Sequence, residues 1–155
     1  MQGWKVDGMI VSSMVLVATM MLTPAVATER GPIAVTSFKS FEPSHYRGKW
    51  FDPKWASERK CIMWRESRFN YRARSDVSSA AGAYQFLDNF WRDSLVFMML
   101  KESNETNDGL QDEARKLRDK NISKWSRYWQ DRAFYTAWMH GEGSKHWYYN
   151  GFKCN

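Results

Sequence analysis

The chain has 155 residues, 43% hydrophobic and 26% charged, with nine Gly and four Pro. That is the composition of one ordinary globular domain, and it excludes collagen, a coiled coil or a low-complexity tail. Aromatic residues make up 16%, nine of them Trp, a surplus over a small core's needs that points to a ring-lined binding surface. The net charge of +6 favours an anionic partner such as nucleic acid, an acidic membrane or an anionic wall polymer.

Residues 9–22 carry no charge and follow a short stretch whose only cation is Lys5. The run is short for a membrane span and ends at Pro24, with small Ala25 and Ala27 placed for a signal peptidase. Residues 1–27 are expected to be a signal peptide, making the product secreted, extracellular or at the cell wall, with no stable membrane insertion after cleavage. An uncleaved amino-terminal anchor is the alternative. Cys61 and Cys154 are the only cysteines and lie outside any C-x-x-C or zinc-like spacing. In an exported chain one disulfide between them is the economical expectation, two free buried thiols being the alternative.

Residues 28–49, with Gly31, Pro32 and Pro43 and no sustained periodicity, read as a linker or an amino-terminal arm. The compact domain is expected over 50–155. Asp52-Pro53 predicts an N-cap and first helical position, opening a helix to about Arg68 on which Trp55, Arg59, Ile62 and Glu66 share a stripe. From Phe69 to Gly82 a polar, Ser/Asp-rich stretch predicts a turn or small hairpin. A second helix is expected from about Asp88, with Asp88 as its cap and Trp91, Leu95, Met98 and Met99 on its buried face. A polar loop over 103–109 and a charged, solvated helix over 110–120 follow. A third, central helix is expected from an N-cap at Ser123 to a stop at Gly141, before an aromatic tail.

The sharpest constellation runs from Cys61 to Trp91. Arg65-Glu66-Ser67-Arg68, Asn70-Tyr71, the run Ala81-Gly82-Ala83-Tyr84-Gln85-Phe86, and Trp91 together resemble the transglycosylase-like domain of resuscitation-promoting factors, within the lysozyme-like lytic transglycosylase group. The resemblance implies a mainly α, lysozyme-like fold with a short loop or small β-hairpin after the first core helix. It also implies an enzyme acting on peptidoglycan glycan strands through Glu66. Independent chemistry agrees, because a general acid must hold its proton near neutral pH and apolar surroundings help a Glu do so. Trp55, Ile62, Trp64 and Phe69 are the groups expected to provide them, while Arg65 and Arg68 oppose the effect if they face the carboxylate.

Hydrolysis with retention or inversion normally uses a second carboxylate. Asp76, in the Ser-rich turn, is the candidate for that role. A lytic transglycosylase needs none, since one carboxyl can protonate the leaving oxygen and then take a proton from the C6 hydroxyl of the muramic acid. That economy favours transglycosylase over muramidase action. For substrate binding the resemblance implies Gln85 and Tyr84, after small residues that would let a sugar ring approach the backbone. Ser67 and Asn70 are expected either to orient Glu66 or to satisfy the loop backbone, Trp91 to be cleft wall or core, and Trp147 to stack sugars. Gln85 can both donate to and accept from hydroxyl and N-acetyl groups.

Two departures from the family pattern stand out. Cys61 lies five residues before Glu66 rather than directly before it, and Arg68-Phe69 stand where the family often has two Gly after Glu-Ser. Arg68 is thus expected to narrow the cleft or to add a cation for lactyl or peptide carboxylates. Competing classes are weaker. Nucleic-acid binding through Arg72, Arg74, Lys116 and Lys120 lacks a motif and a basic cluster. His45, His140 and His146 form no zinc motif, and the His140/His146 pair is assigned to tail packing. No metal or cofactor is expected, and the protein is expected to act as a monomer. A non-catalytic wall-binding module is the remaining alternative.

Overall fold

The computed structural model describes residues 41–140, 142–148 and 154. The expected signal peptide, most of the expected arm, the stop at Gly141 and Tyr149 lie outside the described residues. Those described belong to one compact, mainly helical unit.

Local chemistry sets the first helix. The Asp52 side chain accepts from the Lys54 amide at 3.0 Å, Pro53 opens a 3₁₀ turn over Pro53–Trp55, and α1 continues over Ala56–Ser67. It stops because Arg68 and Phe69 are both left-handed, φ 52° and 64°, a conformation that is costly without glycine. The reversal is held by the Phe69 amide donating to the Met63 carbonyl at 3.2 Å. The Phe69 ring also packs against Trp64 and Phe41.

The expected hairpin is present but minimal. β1 (Ala80–Ala81) pairs antiparallel with β2 (Phe86–Leu87), Ala80 opposite Leu87 and Ala81 opposite Phe86. Gly82 bends the connection at φ 79°, where a Cβ would come within 2.4 Å of the Gln130 Oε1.

α2 spans Asp88–Thr106; of its expected buried face Leu95 and Met99 are buried, Trp91 and Met98 are half-buried, and Val96 joins the core unforeseen. Asp88 is the first helical residue rather than the cap, which falls on Leu87. Its carboxylate reaches the Ile122 amide at 2.8 Å and pairs with Arg92. The polar loop expected from 103 starts later, at Asn107 (φ 50°). The helix runs on because Glu102 and Ser103 are buried partners of Arg132, at 3.1 Å each. The charged segment forms a short α3, Gln111–Lys116, which buries Ala114.

The central helix starts later than expected. Asn121 caps a 3₁₀ turn over Ile122–Lys124, and α4 spans Arg127–Met139 with Ser126 at its N-cap. Trp125 remains extended because its indole N–H donates to the carbonyls of Leu117 and Lys120. All ten residues from Trp129 to Trp138 are buried, which makes α4 the core around which the others pack. α5, Glu142–Trp147, follows, and Cys154 is joined to Cys61 by a disulfide.

The compact fold begins before Trp50. Tyr46 is fully buried, donating its hydroxyl to Glu102 at 2.5 Å and accepting from the Trp50 amide at 2.9 Å. The His45 amide donates to Asp131 at 2.8 Å. The described part of the arm is therefore core structure, because two buried carboxylates need its donors. Among the described residues no helix is long and apolar enough to cross a membrane.

Candidate functional site

Four of the expected residues meet in one cleft of about 560 Å³. Glu66 comes from the end of α1, Gln85 from the hairpin connection, Trp91 from the first turns of α2 and Trp147 from the end of α5. Ser78, Ala80, Leu87, Lys145 and His146 complete the lining. The placement follows from chain geometry. α1 ends at Ser67, and the loop returns through a hairpin whose second strand leads directly into α2.

Glu66 is three-quarters buried at its side chain. Arg65 donates from Nε and Nη2 to Oε1 at 2.9 and 2.7 Å, and its Nη2 also donates to the Trp147 carbonyl at 2.9 Å. Among the described residues Oε2 takes no hydrogen bond, so Arg65, which does face the carboxylate, holds one oxygen and leaves the other open. Arg68 does not face the carboxylate. It lies 4.3 Å over the Trp64 ring and donates to the Trp64 carbonyl, so it is not the cleft cation that the sequence led one to expect.

Gln85 is left-handed, φ 51°, a strain of the kind that persists where the surroundings over-determine a residue. Its Nε2 donates to the Gly82 carbonyl at 2.9 Å, leaving the amide oxygen as the acceptor for the cleft. His146 was assigned to tail packing, and it does pack: its ring stacks on Phe86 at 5.4 Å and meets Trp91 edge-on at 5.6 Å. It also lines the cleft. Burial holds its pKa below the usual histidine value, Arg65 adds to that, and a hydrogen bond to the Gln85 backbone opposes it. Trp147 contributes only its edge, being 1% exposed with its indole N–H donated to the Tyr84 carbonyl at 2.9 Å.

The other expected residues sit elsewhere. Tyr84 is buried, its hydroxyl donating to Asp131 at 2.5 Å and accepting from Arg59 at 2.6 Å. It forms part of a network in which Asp131 also takes the Tyr71 hydroxyl and Arg59 Nη2. Burial and the Asp131 charge push the Tyr84 hydroxyl far above its ordinary pKa. Ala81, Gly82 and Ala83 are buried, and Gly82 leaves room for Gln130, which accepts from the Ala83 amide at 2.8 Å. No sugar could reach them. Ser67 donates to the Ala83 carbonyl at 2.8 Å and accepts from the Asn70 amide. Asn70 in turn accepts from the Arg72 amide. Both residues serve the loop backbone. Asp76 is exposed and outside the cleft lining, and among the described residues Glu66 is the one carboxylate there.

A larger cleft, about 670 Å³, is lined by Phe69, Tyr71, Arg72 and residues 123–127. Its described lining carries neither a carboxylate nor a histidine, whereas the Glu66 cleft carries both. Among the described residues no group of three or more His, Cys, Asp or Glu is placed to hold a metal. Sequence reasoning missed Asp131, hidden inside an aromatic helical run, and underweighted His146, whose adjacency to Trp147 was the available signal. No protein-family model, no curated protein and no solved structure matches this chain.

Proposed function

We propose that this protein is an exported peptidoglycan lytic transglycosylase of lysozyme-like fold. It would cleave the β-1,4 bond between N-acetylmuramic acid and N-acetylglucosamine, with Glu66 as acid and then base. The observation that carries this reading is a cleft lined, among the described residues, by a single carboxylate, one oxygen anchored by Arg65 and the other open. Glu66 Oε2 gives its proton to the glycosidic oxygen as the bond from C1 breaks. The resulting carboxylate then takes the proton of the C6 hydroxyl, whose oxygen closes on C1 to give the 1,6-anhydro ring. No water enters the products, and the enzyme returns protonated.

The family resemblance gains support from an independent quarter. Arg68 and Phe69, standing where relatives often carry two Gly, are the two consecutive left-handed residues that end α1, the conformation glycine adopts most readily. The disulfide suits an oxidising compartment, as the proposed export requires.

Hydrolysis is the second reading, favoured by His146, which lines the same cleft with a lowered pKa and could take a proton from water. The test is mass spectrometry of fragments released from peptidoglycan by the protein and by its Glu66→Gln variant. Anhydro-muropeptides from the unmodified protein alone are expected. Reducing ends would make it a muramidase, and no fragments from either would leave a wall-binding module.

A further inference from the structure

α2 turns two aromatic rings to solvent. Phe90 is 72% exposed and Phe97 64%, while Leu95, Val96 and Met99 take the core side. Phe90, Ser94 and Phe97 follow one another at i, i+4 and i+7, one stripe of the helix. At 1.5 Å per residue the two rings are spaced about 10 Å along the axis.

An isolated exposed ring is ordinary on a protein surface. This pair differs because it continues the candidate cleft. Phe90 meets Trp91 edge-on at 5.6 Å, and Trp91 lines the cleft together with Leu87, itself 39% exposed. Ring surface thus runs from the cleft through Trp91 to Phe90, and Phe97 stands as a separate ring about two turns further along the same stripe. Between Phe90 and Phe97 the stripe carries only Ser94, too small to cover either ring, and the neighbouring Asp93 lies against Arg118.

We propose that Phe90 and Phe97 form an outer platform for the glycan strand, stacking the apolar faces of sugars beyond those held in the cleft. The proposal rests on the glycan reading of that cleft. A pyranose suits such rings because it offers a C–H face with hydroxyls around its rim, to be met by polar neighbours. A bilayer or a partner protein would call for a contiguous apolar patch, whereas here the rings stand apart with Ser94 between them.

The test is calorimetric binding of peptidoglycan tetrasaccharide and octasaccharide to the full chain carrying Glu66→Gln, with and without Phe90→Ser, Phe97→Ser and Phe90→Trp. The octasaccharide is expected to bind about tenfold tighter than the tetrasaccharide, and each Ser variant to remove most of that gain. Tetrasaccharide affinity and thermal unfolding should be unchanged, and Phe90→Trp should keep the gain. Equal affinity for the two lengths would overturn the platform and leave the cleft reading standing. Binding of neither oligomer would overturn both, and equal losses for both lengths in the Ser variants would overturn the platform alone. Pelleting with phosphatidylglycerol vesicles that falls in the Ser variants would assign the stripe to a bilayer and overturn the proposal.

Discussion

Arg65 grips Glu66 by a single oxygen and, with the same Nη2, the backbone carbonyl of Trp147. Consecutive helical residues point in different directions, so this pair forms because the long Arg65 side chain reaches across to its neighbour's carboxylate. It couples the candidate acid at the end of α1 to the wall supplied by α5. Arg65→Gln should lower kcat for glycan cleavage about tenfold with little change in KM, because orientation is lost while the binding surface remains. A rise in KM alone, in steady-state kinetics on soluble glycan chains, would instead assign Arg65 to substrate binding.

Asp131 is wholly buried and takes four donors: Arg59, Tyr71 and Tyr84 at one oxygen and the His45 amide at the other. Asp131→Asn leaves the Arg59 guanidinium buried without its counter-charge and should cost about 3 to 5 kcal/mol in urea unfolding. Adding Arg59→Met should cost less than the sum of the two single changes, because the second removes the stranded charge.

Reduction of the Cys61–Cys154 bond, whose ends are 93 residues apart, should lower stability by about 4 to 5 kcal/mol in the chain-entropy account. The bond ties α1 to the carboxyl-terminal segment after α5. Glycan binding in the cleft is therefore expected to weaken at dithiothreitol and urea concentrations where the circular dichroism of the other helices is still intact.

His146 has its pKa lowered by burial from an ordinary value of 6.5. Below that value the unfolded chain binds a proton that the folded chain resists, so stability falls with pH until the lower folded value is passed. Thermal melts at pH 7.5 and 5 should show a smaller acid loss for His146→Gln than for the unmodified protein. Equal losses would mean that the imidazole is protonated without strain.

The sequence is most legible where the physics is local. The Asp52-Pro53 start and the core side of α2 follow from capping and from helical spacing, whereas the expectation that Glu66 and Gln85 share a cleft rested on the family resemblance. Tyr84 shows the limit, since a Tyr beside small residues reads the same whether its hydroxyl faces a ligand or a carboxylate 47 positions away. The start of α4 shows another. Ser123 and Ser126 are equal caps by residue type, and only the two carbonyls that draw Trp125 outward decide between them. Glu102 and Ser103 look like loop residues until Arg132 is seen between them.

The segment around Ser44 to Tyr46 has a role beyond joining one part of the chain to another. Two buried ion pairs, Arg59 with Asp131 and Arg132 with Glu102, each draw a further donor from it, the His45 amide and the Tyr46 hydroxyl. A proteolytic nick that freed these residues would uncork the interior, letting water reach both carboxylates. Grafting the domain onto another carrier at Trp50 would do the same, so a transplantable unit has to include Ser44 to Tyr46.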